Sequence, residues 1–459
     1  MPELTARVAR ASNPAGTTAM WVRDCLDGLW QDEDLATWYP SPGFSPARLA
    51  TASLLQFLLH LSVRQAGEAV RCRIDFKYAL AMELDDPGFH HRLLSDFRER
   101  LGEDDRADAL LSLALARLRS ARLFIERGRQ RTDSTHVWSA ARDLTRLEMV
   151  LETVRAAPEE AAVLAPEVLD GLVVQDWASR YGRPVRLPAQ PSCPAGRLGD
   201  AGQDSRRLLE RLAAIGPLGA RADVRRRILV QNFLVDSANR MRPRRPADGV
   251  PKGGRRLASP YYADARRVIR GNTRWAGYLV HVTETCDDES VNLITNIATT
   301  GPVRDTQALP GIHTRLGRRG LLPVEHLNDG YLSVEQLQDS HSVFGIDLVG
   351  PVEARGAWQK KAATGFARDD FTIDFDARTV TCPAGEATPP APGAPHPPWP
   401  PTPHAKTHLQ QVLTAIAINL QQLATHSRTP SPRRIDTFQQ DLDWECLING
   451  GSVDHGDAK

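Results

Sequence analysis

The chain has 459 residues, 41% of them hydrophobic and 25% charged, a make-up that supports a buried core and allows two or three domains or one large elaborated one. Its 57 Lys and Arg against 56 Asp and Glu leave a net charge of +1, so overall charge selects no acidic or basic partner. Six scattered Cys with no C-x-x-C pair argue against a zinc ribbon, a thioredoxin-type site or a disulfide scaffold and fit a reducing compartment. Residues 1–21 carry no apolar signal core. The most apolar stretch, residues 49–63, is too short for a bilayer and is interrupted by Ser53, Gln56 and His60. The expectation is a soluble cytoplasmic protein without a membrane partner.

In chain order, Ser45-Pro46 reads as a helix cap with Pro at the first helical position. Leu49, Leu54, Leu55, Leu58, Leu59 and Leu61 make the helix that follows apolar on most sides. Residues 65–73, 76–84 and 89–101 read as short helices, with Asp86-Pro87-Gly88 as a turn. Residues 106–123 form a longer helix with a stripe of Leu110, Leu111, Leu113, Leu115 and Leu118. Together they predict a compact helical domain over residues 20–124, for which a helix-turn-helix role and a plain packing role are equally compatible.

At Arg129 the period changes. Residues 131–138 alternate and are rich in β-branched side chains, which predicts a strand carrying Asp133. A polar helical stretch runs from 143 to about 213, broken by a Pro-rich loop at 184–194. Strands at 277–284 and 292–299 flank Asp287-Asp288-Glu289 as a hairpin turn. A helix at 306–319, a strand segment at 324–331 containing Asp329, a helix at 333–341 and a buried strand at 345–350 complete a mixed α/β sheet. Residues 388–403 hold nine Pro in sixteen and must be extended. Residues 406–423 then form a strongly apolar helix, and the tail at 428–459 has little pattern.

Net neutrality hides a local bias. Residues 221–274 contain 15 Arg and Lys against 4 Asp, a local charge of +11. Such a block is the footprint of a phosphate-contacting surface, and its bland alternative is a solvated Arg-rich linker. The candidate DNA contacts are Arg225, Arg226, Arg227, Arg242, Arg244, Arg245, Arg255 and Arg256.

Two carboxylates stand out by position, Asp133 within one strand and Asp329 at the end of another. Strands distant in sequence can lie side by side, and hard divalent ions take oxygen ligands and can clamp the oxygens of a phosphodiester. Taken singly, each Asp is a common strand-end or turn residue. His136 and His281 read as hydrogen-bonded core histidines. Gly253-Gly254 has neither a strand before it nor a Lys-Ser/Thr after it, and no G-x-S-x-G elbow occurs, so no nucleotide cofactor or serine hydrolase is expected.

The surroundings of these acids resemble a family. Arg131-Thr132-Asp133-Ser134-Thr135-His136-Val137 and Asp143-Leu144-Thr145-Arg146-Leu147-Glu148 resemble the first-aspartate region of bacterial insertion-sequence transposases of the DDE type. Asp75-Phe76-Lys77-Tyr78-Ala79-Leu80 resembles their amino-terminal domain. Gly277-Tyr278-Leu279-Val280-His281-Val282-Thr283-Glu284, Leu322-Pro323-Val324-Glu325-His326-Leu327 and, near the end, Ala405-Lys406-Thr407-His408-Leu409-Gln410 with Ala417-Ile418-Asn419-Leu420 follow in the family's order. The resemblance runs from about residue 38 to 423. It implies a helical amino-terminal domain (residues 20–124) that binds DNA, ahead of an RNase H-like mixed-sheet core (125–427) with a helical insertion at about 142–230. It also implies Asp133 and Asp329 as catalytic metal ligands, Mg²⁺ or Mn²⁺ as cofactor (two ions in an intact member), and element ends and target DNA as partners. A homodimer on DNA and association with the nucleoid follow from it too.

The family's third acid is a Glu in a Gly-x-Glu-Gly helix between a Cys-containing stretch and the last helix. Here Thr379-Val380-Thr381-Cys382-Pro383 runs through the Pro-rich segment, about 387–403, almost directly into that helix, and Glu386 is the only Glu in the interval. The resemblance therefore implies an internally deleted copy with impaired catalysis. The rival is a catalytically dead DNA-binding remnant that occupies element ends or interferes with an intact relative.

Overall fold

A computed structural model describes residues 1–39, 43–123, 127–138, 144–164, 175–183, 185, 192–213, 220–237, 240–249, 256–261, 266–270, 273–288, 290–301, 305–351, 370–374, 379–388 and 405–428. The Pro-rich stretch from 389, the tail from 429, Asp143 and Arg255 lie outside the described residues. Helices α1 (Glu3–Ser12), α2 (Thr18–Leu26), α3 (Asp32–Leu35), α4 (Pro46–Leu58), α5 (Val63–Cys72), α6 (Ile74–Ala79), α7 (His91–Leu101) and α8 (Arg106–Ser120) precede strand β1 (Arg129–Trp138). Next come α9 (Arg146–Leu164), α10 (Gln175–Tyr181), α11 (Pro194–Ala213), α12 (Ala220–Asn232), β2 (Phe233–Val235), β3 (Met241–Pro243) and β4 (Arg266–Arg270). The chain continues through β5 (Thr273–Thr285), β6 (Ile294–Thr300), α13 (Asp305–Arg319), β7 (Glu325–Asn328), α14 (Val334–Phe344) and β8 (Asp347–Val349). Short strands β9 (Thr372–Asp374), β10 (Thr379–Thr381) and β11 (Ala387–Thr388) and the long helix α15 (Ala405–Arg428) close it.

Two compact units result, one of Met1–Thr135 with Val280–Lys459, the other of His136–Leu279. In the first, local signals act where the sequence places them. Ser45 Oγ accepts from the Arg48 amide at 3.1 Å and Pro46 opens α4, which satisfies one of the orphan donors at the helix start. Capping boxes at Ser62/Gln65 and Ser333/Gln336 start α5 and α14. Gly345, at φ +67°, ends α14 in the left-handed conformation that glycine adopts without strain. The helix expected over 76–84 stops at Ala79, because the chain turns through left-handed Ala81. Helices α1 and α2 extend the helical segment upstream of residue 20, with Thr5 and Ala9 buried.

The centre of this unit is α15. Leu409, Val412, Leu413, Ile416, Ile418, Leu420 and Leu423 are all buried, so the helix is apolar round its circumference and belongs inside. It packs on α4, α8 and β6. Among its buried polar side chains, Asn419 accepts from the Ile294 amide at 2.7 Å and donates to the Ile294 carbonyl at 2.9 Å. The side-chain amide thus completes the backbone bonding of β6 at its first residue.

The main sheet runs β4-β5-β1-β7-β8, with β6 also pairing β5. Pairs β1–β7 and β7–β8 are parallel and β4–β5 is antiparallel, so the sheet is mixed. Every residue of β6 is buried. The strand expected to be buried at 345–350 is instead the short edge strand β8, where only Leu348 turns inward and Asp347 and Val349 are exposed. Alternate residues of a strand face opposite sides, and here Ile346 and Leu348 are buried on one side while Asp347 and Val349 point outward. Two buried polar side chains of this core are tied in by several hydrogen bonds each. Gln130 bonds Leu321 O at 2.9 Å and Thr295 Oγ1 at 2.7 Å, and Arg319 joins Asp108, Ser112 and Asn296.

The second unit has its own core, in which Leu147, Val150, Leu151, Trp177, Leu208 and Phe233 from α9, α10, α11 and β2 pack together. Strands β2 and β3 form a small antiparallel ribbon. Among the described residues no helix is long and apolar enough to cross a membrane.

Candidate metal centre

The parallel register of β1 and β7 sets Thr132 opposite Asn328, and the next residue in each chain is an aspartate, Asp133 and Asp329. Paired residues of neighbouring parallel strands point to the same side, about 4.8 Å apart. Two acids separated by almost two hundred residues therefore become neighbours because a four-residue strand lies in this register. At the end of β7 the Asn328 side chain accepts from the Gly330 amide at 2.9 Å, an Asx turn that fixes the tip carrying Asp329. The space around this tip is tight: a Cβ at Gly350 would stand 2.4 Å from the Asn328 carbonyl oxygen.

A third carboxylate joins them. Asp133, Asp305 and Asp329 each present an oxygen, and these oxygens all lie within 4.8 Å of one another. Asp133 and Asp305 are half-buried and Asp329 is exposed. Asp305 begins α13, five residues after β6 ends. The Ser134 amide donates to Asp133 Oδ1 at 2.6 Å. His281, wholly buried on β5, places Nδ1 2.7 Å from Asp305 Oδ1 and Nε2 2.9 Å from Thr300 Oγ1. A carboxylate only accepts, so the ring donates from Nδ1 to Asp305, and Nε2 shares its hydrogen bond with the Thr300 hydroxyl.

Three ionised carboxylates this close repel, by at least about 3 kcal/mol per pair at an effective dielectric near 20. The donor set is all oxygen and all anionic, which suits a hard divalent cation such as Mg²⁺ or Mn²⁺ and not a thiolate-seeking metal. Behind the acids the sheet holds a neutral chain of hydrogen bonds. His313 Nε2 meets His326 Nδ1 at 2.9 Å, His326 Nε2 meets Thr132 Oγ1 at 2.8 Å, and Thr132 Oγ1 meets Thr283 Oγ1 at 2.8 Å. Burial pushes the His313 ring down to about 4 and, helped by His313, the His326 ring down to about 3.

The two aspartates singled out in the sequence are thus side by side. Asp305 escapes a sequence reading because the helix at 306–319 is recognisable only from its apolar face, which starts one residue later. The available signal is an acid at the start of a helix just after a strand buried on both faces. His281 is a hydrogen-bonded core histidine, as its strand position suggests, and its partner is this acid. His136 is half-buried on β1.

The arginine block lies in the second unit. Arg225 is buried, Arg226 and Arg227 are exposed on α12, and Arg226 pairs with Asp223 at 2.9 Å. Arg242 grips Asp248 through two bonds of 2.7 and 2.8 Å. Arg244 donates to Val230 O at 2.9 Å, and Arg256 is half-buried. Arg226, Arg227 and Arg245 are the exposed guanidiniums among the described members of this set.

Residues 8–100, the stretch from α1 into α7, match a family model described as a transposase domain (DUF772). That match supports a transposase family. No curated protein and no solved structure matches the chain.

Proposed function

We propose that the chain is a DDE-type insertion-sequence transposase, binding the ends of its element and cutting and joining DNA at a divalent-metal site on an RNase H-like core. The observation that carries this reading is the β1–β7 register, which sets Asp133 beside Asp329 at two positions where the sequence resembles that family. The transposase-domain match at residues 8–100 supports it independently, and so does a mixed sheet whose acids lie on and just beyond two adjacent parallel strands.

Asp133 and Asp329 would hold Mg²⁺ or Mn²⁺, which when bound activates the attacking oxygen and neutralises charge on the phosphodiester. The Ser134 amide steadies Asp133, and the Asn328 turn steadies the tip of β7. Exposed Arg226, Arg227 and Arg245 would contribute phosphate contacts, with salt-sensitive affinity and little sequence information of their own. Element ends and target DNA are the partners, engaged by a homodimer.

The test uses the purified chain with labelled DNA bearing the gene's own flanking ends, binding read in Ca²⁺ and cleavage in Mn²⁺. End-specific cutting that disappears in Asp133→Ala is the expected result. Binding without cutting would overturn the catalytic reading and leave a DNA-binding remnant. Neither binding nor cutting would overturn both.

A further inference from the structure

We propose that Asp305 supplies the third carboxylate of the metal site and that buried His281 is the positioning residue that aims it. This rests on the metal-site reading above and deepens it, since it makes the site complete where the family's glutamate has no counterpart.

Two carboxylates alone would leave a divalent ion held mainly by water. Asp305 adds a third anionic oxygen within 4.8 Å of the other two, and it comes from α13, an element separate from both acid-bearing strands. Mutual repulsion alone would turn such a side chain away, so something must hold it in place. His281 does so from inside the sheet. The ring has no exposed surface, and both nitrogens are engaged, Nδ1 with Asp305 and Nε2 with Thr300. Burying a polar ring costs free energy unless both nitrogens find partners. Here the partners are a hydroxyl at the end of β6 and the carboxylate at the start of α13. Thr300 and Asp305 flank the β6–α13 connection, so one ring ties both sides of that connection to β5. A ring donating to one carboxylate oxygen sets the plane of the carboxylate, the arrangement by which hydrogen-bonded neighbours orient metal ligands.

The experiment is Mn²⁺ binding to the full chain without DNA, followed by loss of the free-ion electron paramagnetic resonance signal. It compares the parent with Asp133→Asn, Asp305→Asn, His281→Ala and His281→Asn. Asp305→Asn keeps shape and helix-start chemistry while removing the charge. In His281→Asn the amide nitrogen occupies nearly the place of Nδ1 and can still donate to Asp305. The expected result is a ~10–100-fold loss of affinity in Asp305→Asn and in His281→Ala, with His281→Asn restored to within about threefold of the parent. A purely structural His281 would give no such rescue, because His281→Asn also loses the Thr300 bond and packing volume.

If Asp133→Asn abolishes binding while Asp305→Asn matches the parent, the third-ligand assignment is wrong and the metal-site reading survives. If the parent binds no Mn²⁺ beyond the level of Asp133→Asn, the metal-site reading itself falls. If Asp305→Asn weakens binding but both His281 variants match the parent, Asp305 stays a ligand and the positioning role is refuted. Should His281→Ala fail to fold, Asp305→Asn and His281→Asn still decide the two halves of the proposal.

Discussion

Replacing Asp108 with alanine should destabilise the first unit by about 3–5 kcal/mol, the cost of stranding a buried cation. Arg319, almost wholly buried, donates to Asp108 Oδ1 at 2.7 Å, Ser112 Oγ at 2.9 Å, Asn296 Oδ1 at 2.9 Å and Thr295 O at 3.1 Å. Only Asp108 in that set carries a countercharge, so its loss leaves the other three contacts around an unneutralised guanidinium. The network spans α8, α13 and β6, and His408 of α15 stands 3.6 Å from the same carboxylate. Total stability of a domain is about 5–15 kcal/mol, so the loss is a large fraction of it. Urea unfolding followed by circular dichroism measures the change, with Asp108→Leu/Arg319→Met as the companion. Removing both charges should recover most of the loss, since a buried pair exchanged for apolar side chains of similar volume is often near neutral. A cost under about 1 kcal/mol for Asp108→Ala would refute the claim that this pair holds the helices to the sheet. Burial alone would raise the Asp108 carboxyl, but His408, Arg319 and Arg315 outweigh it and hold it well below the usual range. The pair's contribution is therefore present above the ordinary carboxylate pKa and is lost as pH falls below about 4.

Three further outcomes follow from the same core. His313 and His326 titrate at about 4 and about 3 when folded, against 6.5 when free. Unfolded chains then bind more protons below pH 6.5, and stability should fall by pH 4 on the order of 3 kcal/mol for each of the two rings; equal unfolding midpoints at pH 7 and pH 5 would contradict this. Asn419→Leu removes both partners of the Ile294 backbone groups and should cost about 2–4 kcal/mol, read by thermal unfolding; a neutral result would mean water replaces the amide. Gly350→Ala puts a methyl against the Asn328 carbonyl, 2.4 Å away before relaxation. It should cost about 1–3 kcal/mol and weaken Mn²⁺ binding by shifting the tip that carries Asp329, and unchanged affinity would show that the tip tolerates the shift.

Much of the fold was legible because the signals were local. Ser45-Pro46, the apolar stripe of α8 and the alternation around Asp133 depend on residues a few positions apart, and each leads to the element it predicts. Edge position is not local. The 345–350 segment reads as buried because Ile346 and Leu348 are apolar, and both are, but its place at the end of the described strand order, beside β7, is not written in those residues. The role of Asn419 was hidden for a related reason: an amide inside an apolar helix is a defect until the Ile294 backbone appears opposite it. Among the arginines, charge counting could not separate Arg225, which is buried, or Arg242, which is held by Asp248, from exposed Arg226, Arg227 and Arg245.

The candidate site divides along the same line. Asp133 and Asp329 carry neighbours in sequence that mark them, and the β1–β7 register needs only that two short strands align. A third acid expected from its order along the chain is looked for after the second, between Asp329 and α15. Geometry sets a different condition, namely an oxygen within reach of the other two, and several elements can end at that place. The start of α13 meets it, with an Asp305 oxygen within 4.8 Å of those of Asp133 and Asp329. An acid at that helix start is also favoured by the helix dipole, so local stability and cation binding ask for the same residue. A neutral side chain at 305 would keep the helix and still lose the third charge. For that reason Asp305→Asn separates a metal ligand from a helix cap: unfolding should change little, and Mn²⁺ affinity should fall ~10–100-fold. Loss of stability with unchanged affinity would make Asp305 a cap and return the site to two carboxylates.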